Sequence, residues 1–154
     1  MDLKQEIYNY LKTQRLMSVA TFNETPWIAN VYFVHDEELH LYFLSKSTRE
    51  HCQAIDKNAH VAVAITDSHQ PINKPQLGLQ VYGTAQKVNM LEKIEWMFKM
   101  WNTLVAGQSD ERLENPKAFL EAGRSTIYKI TPHRIKFFNT KLWPDEQTKV
   151  WERE

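Results

Sequence analysis

Glycine is scarce in this sequence: Gly78, Gly83, Gly107 and Gly123 are the only four in 154 residues. No two stand as G-x-G, which excludes both a dinucleotide fingerprint and a phosphate-cradling P-loop. G-x-S-x-G is missing, and with it the usual hydrolase elbow. H-E-x-x-H is missing too, which removes the common zinc-protease helix. A single cysteine, Cys52, excludes an intramolecular disulfide framework and any cysteine-based zinc site. No run approaches the roughly 20 apolar residues that a membrane span needs. The first residues, Met1-Asp2-Leu3-Lys4-Gln5-Glu6, are polar and precede no apolar stretch of signal-peptide type. The expectation is a cytoplasmic protein with no membrane partner. Net charge is zero, with 19 basic and 19 acidic side chains. That removes the basic excess typical of nucleic-acid binders, so no nucleic-acid partner is expected.

What is present suits one globular domain spanning residues 1–154, because apolar residues make up 42% and charged residues 25%. Leu3, Ile7, Tyr10 and Leu11 repeat with helical spacing, and Asp2 can cap a helix running to about Arg15. The period then switches to two. Leu16–Phe22 and Trp27–Val34 read as strands joined by the turn Asn23-Glu24-Thr25-Pro26. On the second strand Trp27, Ala29, Val31 and Phe33 share one face, while Ile28, Asn30, Tyr32 and Val34 share the other. The polar turn 35–38 leads to a third strand, Leu39–Leu44. Ser47 with Glu50 has capping-box spacing, which predicts a short helix from about Thr48 to Lys57.

Val61–Ile65 and Leu79–Val88 are further strands, separated by the polar loop Asp67–Gln76. Gly83 in mid-strand marks a bulge or a close backbone approach. Residues 90–106 carry Leu91, Ile94, Phe98, Trp101 and Val105 at three- and four-residue steps, the clearest helix of the chain. A second short helix is expected from about Pro116 to Glu121. Thr126–Ile130 and Arg134–Phe138 read as two strands broken near Pro132, followed by a tail, 139–154. Short antiparallel strands with a few interposed helices predict a mainly β fold of small-barrel type, with its core at about 14–138.

The ordered segments ATFNETPWIANVYFV, LHLYFLSKSTREHCQAIDKNAHVAVAI and LGLQVYGTAQKV, over roughly residues 14–90, resemble the pyridoxamine 5'-phosphate oxidase-like family. A weaker echo lies at Ile130–Phe138. The resemblance is greatest to the small, poorly characterised members, and DSHQP at Asp67–Pro71 fits that branch. It implies a six-stranded antiparallel split β-barrel with peripheral helices, a homodimer, and FMN bound in clefts at the dimer interface. It implies no single reaction, because members include oxidases, reductases and haem-handling proteins.

In that family a basic residue after the third strand grips the FMN phosphate. Arg49 stands at that position here, with Ser47 and Thr48 as hydroxyl donors and Lys46 adding attraction. A phosphate dianion suits a guanidinium fork beside a helix start; a capping sequence with solvated charges is the alternative reading. The second strand is implied to line the flavin ring through Asn30, Val31 and Tyr32, which otherwise are barrel wall. Two cationic positions of the oxidase on this strand align with Ala29 and Val34, a departure that weakens the case for the oxidase reaction itself. Gln80 sits where the family reaches across the dimer, and Trp143 resembles a C-terminal aromatic that closes over FMN or else packs on the barrel end.

None of the six histidines, His35, His40, His51, His60, His69 and His133, forms a recognised metal-binding pair, so no metal is expected. Cys52, near the start of the same short helix, is a candidate thiolate or a small buried hydrophobe. No catalytic constellation of side chains is legible. The implied function is an FMN flavoprotein acting as an oxidoreductase on an unknown small molecule. The alternatives are a non-catalytic carrier or sensor holding flavin or haem, and a dimeric scaffold without cofactor.

Overall fold

The computed structural model describes residues 1–106, 113–123 and 125–154. Among these, four helices surround one antiparallel sheet of eight strands. The order along the chain is α1 (Leu3–Leu11), β1 (Leu16–Asn23), β2 (Thr25–Tyr32), β3 (Val34–His35), β4 (Leu41–Lys46), α2 (Glu50–Lys57), β5 (His60–Thr66), β6 (Leu77–Val88), α3 (Leu91–Val105), α4 (Pro116–Ala122), β7 (Ser125–Asn139) and β8 (Thr148–Glu152). The strands lie side by side as β2-β1-β5-β6-β7-β4-β3, with β8 on the outside of β7. Because β3 continues β2 after one residue, Phe33, the two ends of this path meet and the sheet curls into a barrel. Counting β2 and β3 as one interrupted strand and setting β8 aside recovers the six expected strands.

The barrel is mainly β and split, as the sequence implies. β3 forms only two pairs with β4, Val34 with Tyr42 and His35 with Leu41. Beyond them β2 and β4 part without pairing, and this is the split. Elsewhere the ladders are long: β6 pairs with β7 from Leu77–Asn139 to Val88–Ile127.

Inward-facing residues of alternate positions fill the barrel. Met17, Val19, Phe33, Leu41, Phe43, Val61, Val63, Ile65, Leu79, Val81, Tyr128, Ile130 and Phe137 form one buried cluster, closed at one end by Ile7, Tyr10 and Leu11 of α1. A second cluster lies outside the barrel, where α3 puts Ile94, Met97 and Phe98 on Val34, Tyr42 and Ile127. The stripe on α3 is therefore core, the simpler use of that spacing.

Several expected boundaries shift for local reasons. α1 starts at its Asp2 cap, which accepts from the Lys4 N–H at 3.0 Å, but ends at Leu11 rather than Arg15. There Thr13 turns its hydroxyl back onto the Tyr10 carbonyl at 2.7 Å, a bond that competes with helix continuation. The two strands expected around Pro132 are one, β7. Pro132 lies opposite Gly83, and the register slips between Tyr82 and Gly83. A Cβ on Gly83 would overlap the Thr131 carbonyl oxygen, so the close approach read from this glycine is real. The bulge absorbs the proline without ending the strand. Part of the expected tail is β8, held by Arg153, whose Nε donates to the Pro132 carbonyl at 2.7 Å.

Candidate functional site

The segment Lys46–Arg49 leaves β4 and enters α2 through a turn in which the Arg49 N–H donates to the Lys46 carbonyl at 3.0 Å. The helix begins at Glu50 with Arg49 as its N-cap, in extended conformation and without any side-chain capping bond. Ser47 is therefore not the cap that the S-x-x-E spacing suggested. The β-turn consumes two residues, so the helix starts too late for the Ser47 hydroxyl to reach its first N–H groups. Those groups stay open beside Lys46, Thr48 and Arg49, all exposed. Neither Lys46 nor Arg49 forms an ion pair among the described residues. Two unneutralised cations, two hydroxyls and an uncapped helix start have the chemistry of an anion cradle; Glu50 is the acidic residue of the helix's first turn.

Beneath the turn, the Ser45 hydroxyl and His51 Nε2 are hydrogen-bonded at 2.8 Å. His51 is buried. Its burial and the Arg49 guanidinium both push its pKa below the usual histidine value, so the ring is neutral at pH 7. Cys52 is wholly buried, and burial raises its thiol pKa. It is an inert core residue, and the thiolate reading of the helix start fails for that reason. The Tyr128 hydroxyl closes this layer by donating to Asp56 at 3.0 Å, and Lys87 pairs with Asp56 at 3.1 Å.

A cleft of about 280 Å³ runs between the β1–β2 hairpin and α2, walled by Trp27 on one side and Glu50 and Gln53 on the other. Trp27 belongs to the inward face of β2, yet it is 52% exposed because the split leaves that face uncovered. Sequence reasoning did not single out Trp27 and Gln53, which line this cleft. Their spacing is that of ordinary strand and helix positions, and only the split gives them a cleft to line.

β2 sorts its three candidate residues onto two faces. Val31 turns inward and packs on the barrel core. Asn30 and Tyr32 turn outward, where Asn30 bonds the Ser18 hydroxyl at 2.6 Å and Tyr32 meets Trp101 edge-on. Ala29 is inward, facing the split. Val34 is buried under α3, so a cation there would lose its water.

Apart from Tyr32, which meets Trp101, the outward face of β1, β2, β5 and β6 is largely exposed among the described residues. Register places Ala20, Ala62 and Ala64 side by side at its centre, with Ile28 and Tyr82 flanking them. Ile28 is 63% exposed and Phe22, on the same face, 54%. Gln80 lies in this face, between Ala64 and Lys136. Trp143 sits elsewhere: its ring packs edge-on against Phe137 at 5.6 Å, at the end of β7 remote from the Lys46–Ser125 pair. The structure thus unites Lys46, Ser47, Thr48 and Arg49, sets Asn30, Tyr32 and Gln80 on the open face, and leaves Val31 and Trp143 in packing roles within one chain.

A further polar centre escaped the sequence reading. Asp36 accepts from the His40 and Glu38 N–H groups, from the Tyr42 hydroxyl at 2.9 Å, and contacts His40 Nδ1 at 2.9 Å. Burial alone would raise its pKa, but these hydrogen bonds win and hold it at about 2. Among the described residues there is no group of three His, Cys, Asp or Glu side chains able to hold a metal, and no helix long and apolar enough to cross a membrane.

Comparison with known proteins places this geometry. Among solved structures, general stress protein 26 from Bacillus anthracis superposes with a TM-score of 0.66 at 22% identity, over 89% of this chain and 94% of that one. A NimC/NimA-family protein from Clostridium acetobutylicum gives 0.69 at 13% identity, over 97% and 92%. An FAD-binding protein from Mesorhizobium loti gives 0.65 at 14% identity, over 88% and 92%. These likenesses establish a shared fold. No curated protein matches the sequence. The sequence profile of pyridoxamine 5'-phosphate oxidase matches residues 3–139, nearly the whole barrel, and on that match the chain belongs to the pyridoxamine 5'-phosphate oxidase family.

Proposed function

We propose that the protein is an FMN-binding flavoprotein, acting as an oxidoreductase on a small molecule. The observation that carries this reading is the pair of unneutralised cations, Lys46 and Arg49, at the uncapped start of α2 beside the split. Arg49 and Lys46 hold the phosphate, Ser47 and Thr48 donate hydroxyls to it, and the α2 N–H groups complete the cradle. Bound FMN supplies the capacity to take up and pass on electrons. The chain's own part is to bind, orient and shield the group. The neutral His51–Ser45 pair supports the cradle from below and adds no competing charge.

A second copy covers the alanine-centred face of β1, β2, β5 and β6 and forms a homodimer. Exposed Phe22, Ile28 and Tyr32 favour that association through the area they would remove from water. The flavin lies where this interface meets the split, within reach of Asn30, Val31 backbone groups and Tyr32, with Gln80 contributed across the interface. Trp143, packed on Phe137 at the other end of β7, would be contributed to the flavin by the second copy. The unit is the single domain of residues 1–154, and a cytoplasmic setting suits its one buried thiol.

An absorption titration of the purified protein with FMN, repeated with haem, tests the reading. A protein-bound flavin spectrum that Arg49→Ala weakens supports it; unchanged affinity in Arg49→Ala removes the cradle. A second reading, a flavin or haem carrier without turnover, is favoured by one feature: the ring-lining strand carries apolar Ala29 and buried Val34 instead of cations. Reduction of bound FMN by NADH or NADPH decides against the carrier.

A further inference from the structure

Away from that cradle, a cavity of about 500 Å³ opens between the last residues of β6, Lys129 of β7 and the first turns of α3. Its wall carries Lys87, Lys93 and Lys129 against one carboxylate, Glu92. The chain as a whole is neutral, so this surplus of positive charge is local. Lys87 is partly answered by Asp56 at 3.1 Å. Lys129 and Lys93 form no ion pair among the described residues. Lys93 instead holds its ammonium over the rings of Trp96, at 4.6 Å, and Tyr42, at 5.2 Å. Trp96 forms a flat aromatic wall, and Met90, 69% exposed, adds an apolar rim.

We infer that this cavity is a second ligand site, one that takes an aromatic anion: a ring compound carrying a phosphate monoester or a carboxylate. The volume suits a small molecule. The ring of such a ligand lies along Trp96 and Met90, and its charge meets Lys93 and Lys129. The other side of the same tryptophan gives the charge selection. There a cavity of about 420 Å³ is lined by Asp36, Glu37 and Glu38; Glu38 is paired with Lys4 at 2.8 Å and Asp36 is bonded by His40 and Tyr42, but the wall carries no cation of its own to receive an anion. Trp96 thus separates a basic from an acidic compartment, and an aromatic anion has one side to choose. The site shares no residue with Lys46–Arg49, so it stands whether or not the chain binds FMN.

The test is calorimetric titration with 1-naphthyl phosphate, with inorganic phosphate and 1-naphthol as comparators. NMR of the tryptophan indole N–H signals, with the Trp96 signal identified by Trp96→Phe, locates the binding. Saturable binding of 1-naphthyl phosphate is expected, tighter than either comparator and accompanied by a shift of the Trp96 signal. Lys129→Gln and Lys93→Gln should each weaken it about tenfold, the scale of one charge-assisted contact. Circular dichroism establishes that each variant is folded, and the two positions serve as independent checks. Binding should persist in Arg49→Ala, because Arg49 does not line this cavity. Absence of saturable binding, equal affinity for 1-naphthol, indifference to both lysine changes, or loss in Arg49→Ala would each overturn the inference.

Discussion

β5 and β2 are neighbours of β1 on opposite sides, and both alternate apolar side chains. Every second residue of β5 is buried: Val61, Val63 and Ile65. No residue of β2 is buried. Composition does not explain the contrast, because β2 carries Trp27, Ile28, Val31 and Tyr32. Position does. β5 is paired on both edges, while β2 pairs only with β1 and faces the split on its other edge. A strand can thus have the pattern of a core element and still leave its side chains exposed within one chain. Exposed apolar groups on such a strand are where a ligand or a second copy gains most.

The contrast can be broken first in the closed half. Phe43 is wholly buried and stacks on Tyr128. Phe43→Ala should cost about 3–5 kcal/mol in urea unfolding, whereas a Trp27 substitution on β2 should leave the midpoint of a dilute sample nearly in place. Gly83→Ala attacks the bulge, where the added methyl meets backbone that cannot yield; about 1–3 kcal/mol of stability should be lost. Asp36 comes next. Its folded pKa of about 2 lies below the ordinary 3.8, so its contribution is complete above pH 3.8 and disappears as pH falls towards 2. Asp36→Asn should therefore unfold about 2 kcal/mol more easily at pH 7, with the gap to the native protein closing at low pH. On the open side, Arg49→Ala should lower FMN affinity about tenfold, near 1.4 kcal/mol, yet shift thermal unfolding without FMN very little. Ile28→Glu should change the stability of a single chain least, by no more than about 0.5 kcal/mol, while sedimentation shows the dimer dissociating. An Ile28→Glu protein that remains dimeric would place the interface elsewhere.

How far the sequence could be read follows the same division. Elements whose pattern is satisfied within the chain were legible: β1, β5, β6, the α3 stripe and the close backbone approach at Gly83 all appear where periodicity and turn chemistry put them. Misreadings fall where a non-local partner decides. β8 is five residues long, and only pairing with β7 and the Arg153 bond to Pro132 make it a strand. Pro132 read as a break because the glycine that accommodates it lies far away in sequence. The Ser47–Glu50 spacing matched a capping box, but a turn displaced the helix start. Asp36 and His40 are four apart in a polar turn, which hints at a contact, but nothing local announces Tyr42 as their third member. For the candidate site, the cations after β4 were picked out through their place in an ordered motif set. The cleft beside Trp27 was not, since it exists only because β2 and β4 part.

The strand β7 borders both halves. It pairs with β6 along its length, with β4 near its start and with β8 near its end. β4 therefore has only the two-residue β3 as a ladder partner until β7 is available. During synthesis from the N-terminus, the β1–β2 hairpin and its β5 neighbour can assemble early, but Leu41 must wait for Ile130 to emerge. Until then Leu41 and Phe43 lie open on an unpaired edge. Closure of the barrel by β7 thus rests on pairings between residues far apart in sequence, the kind of contact that forms slowly.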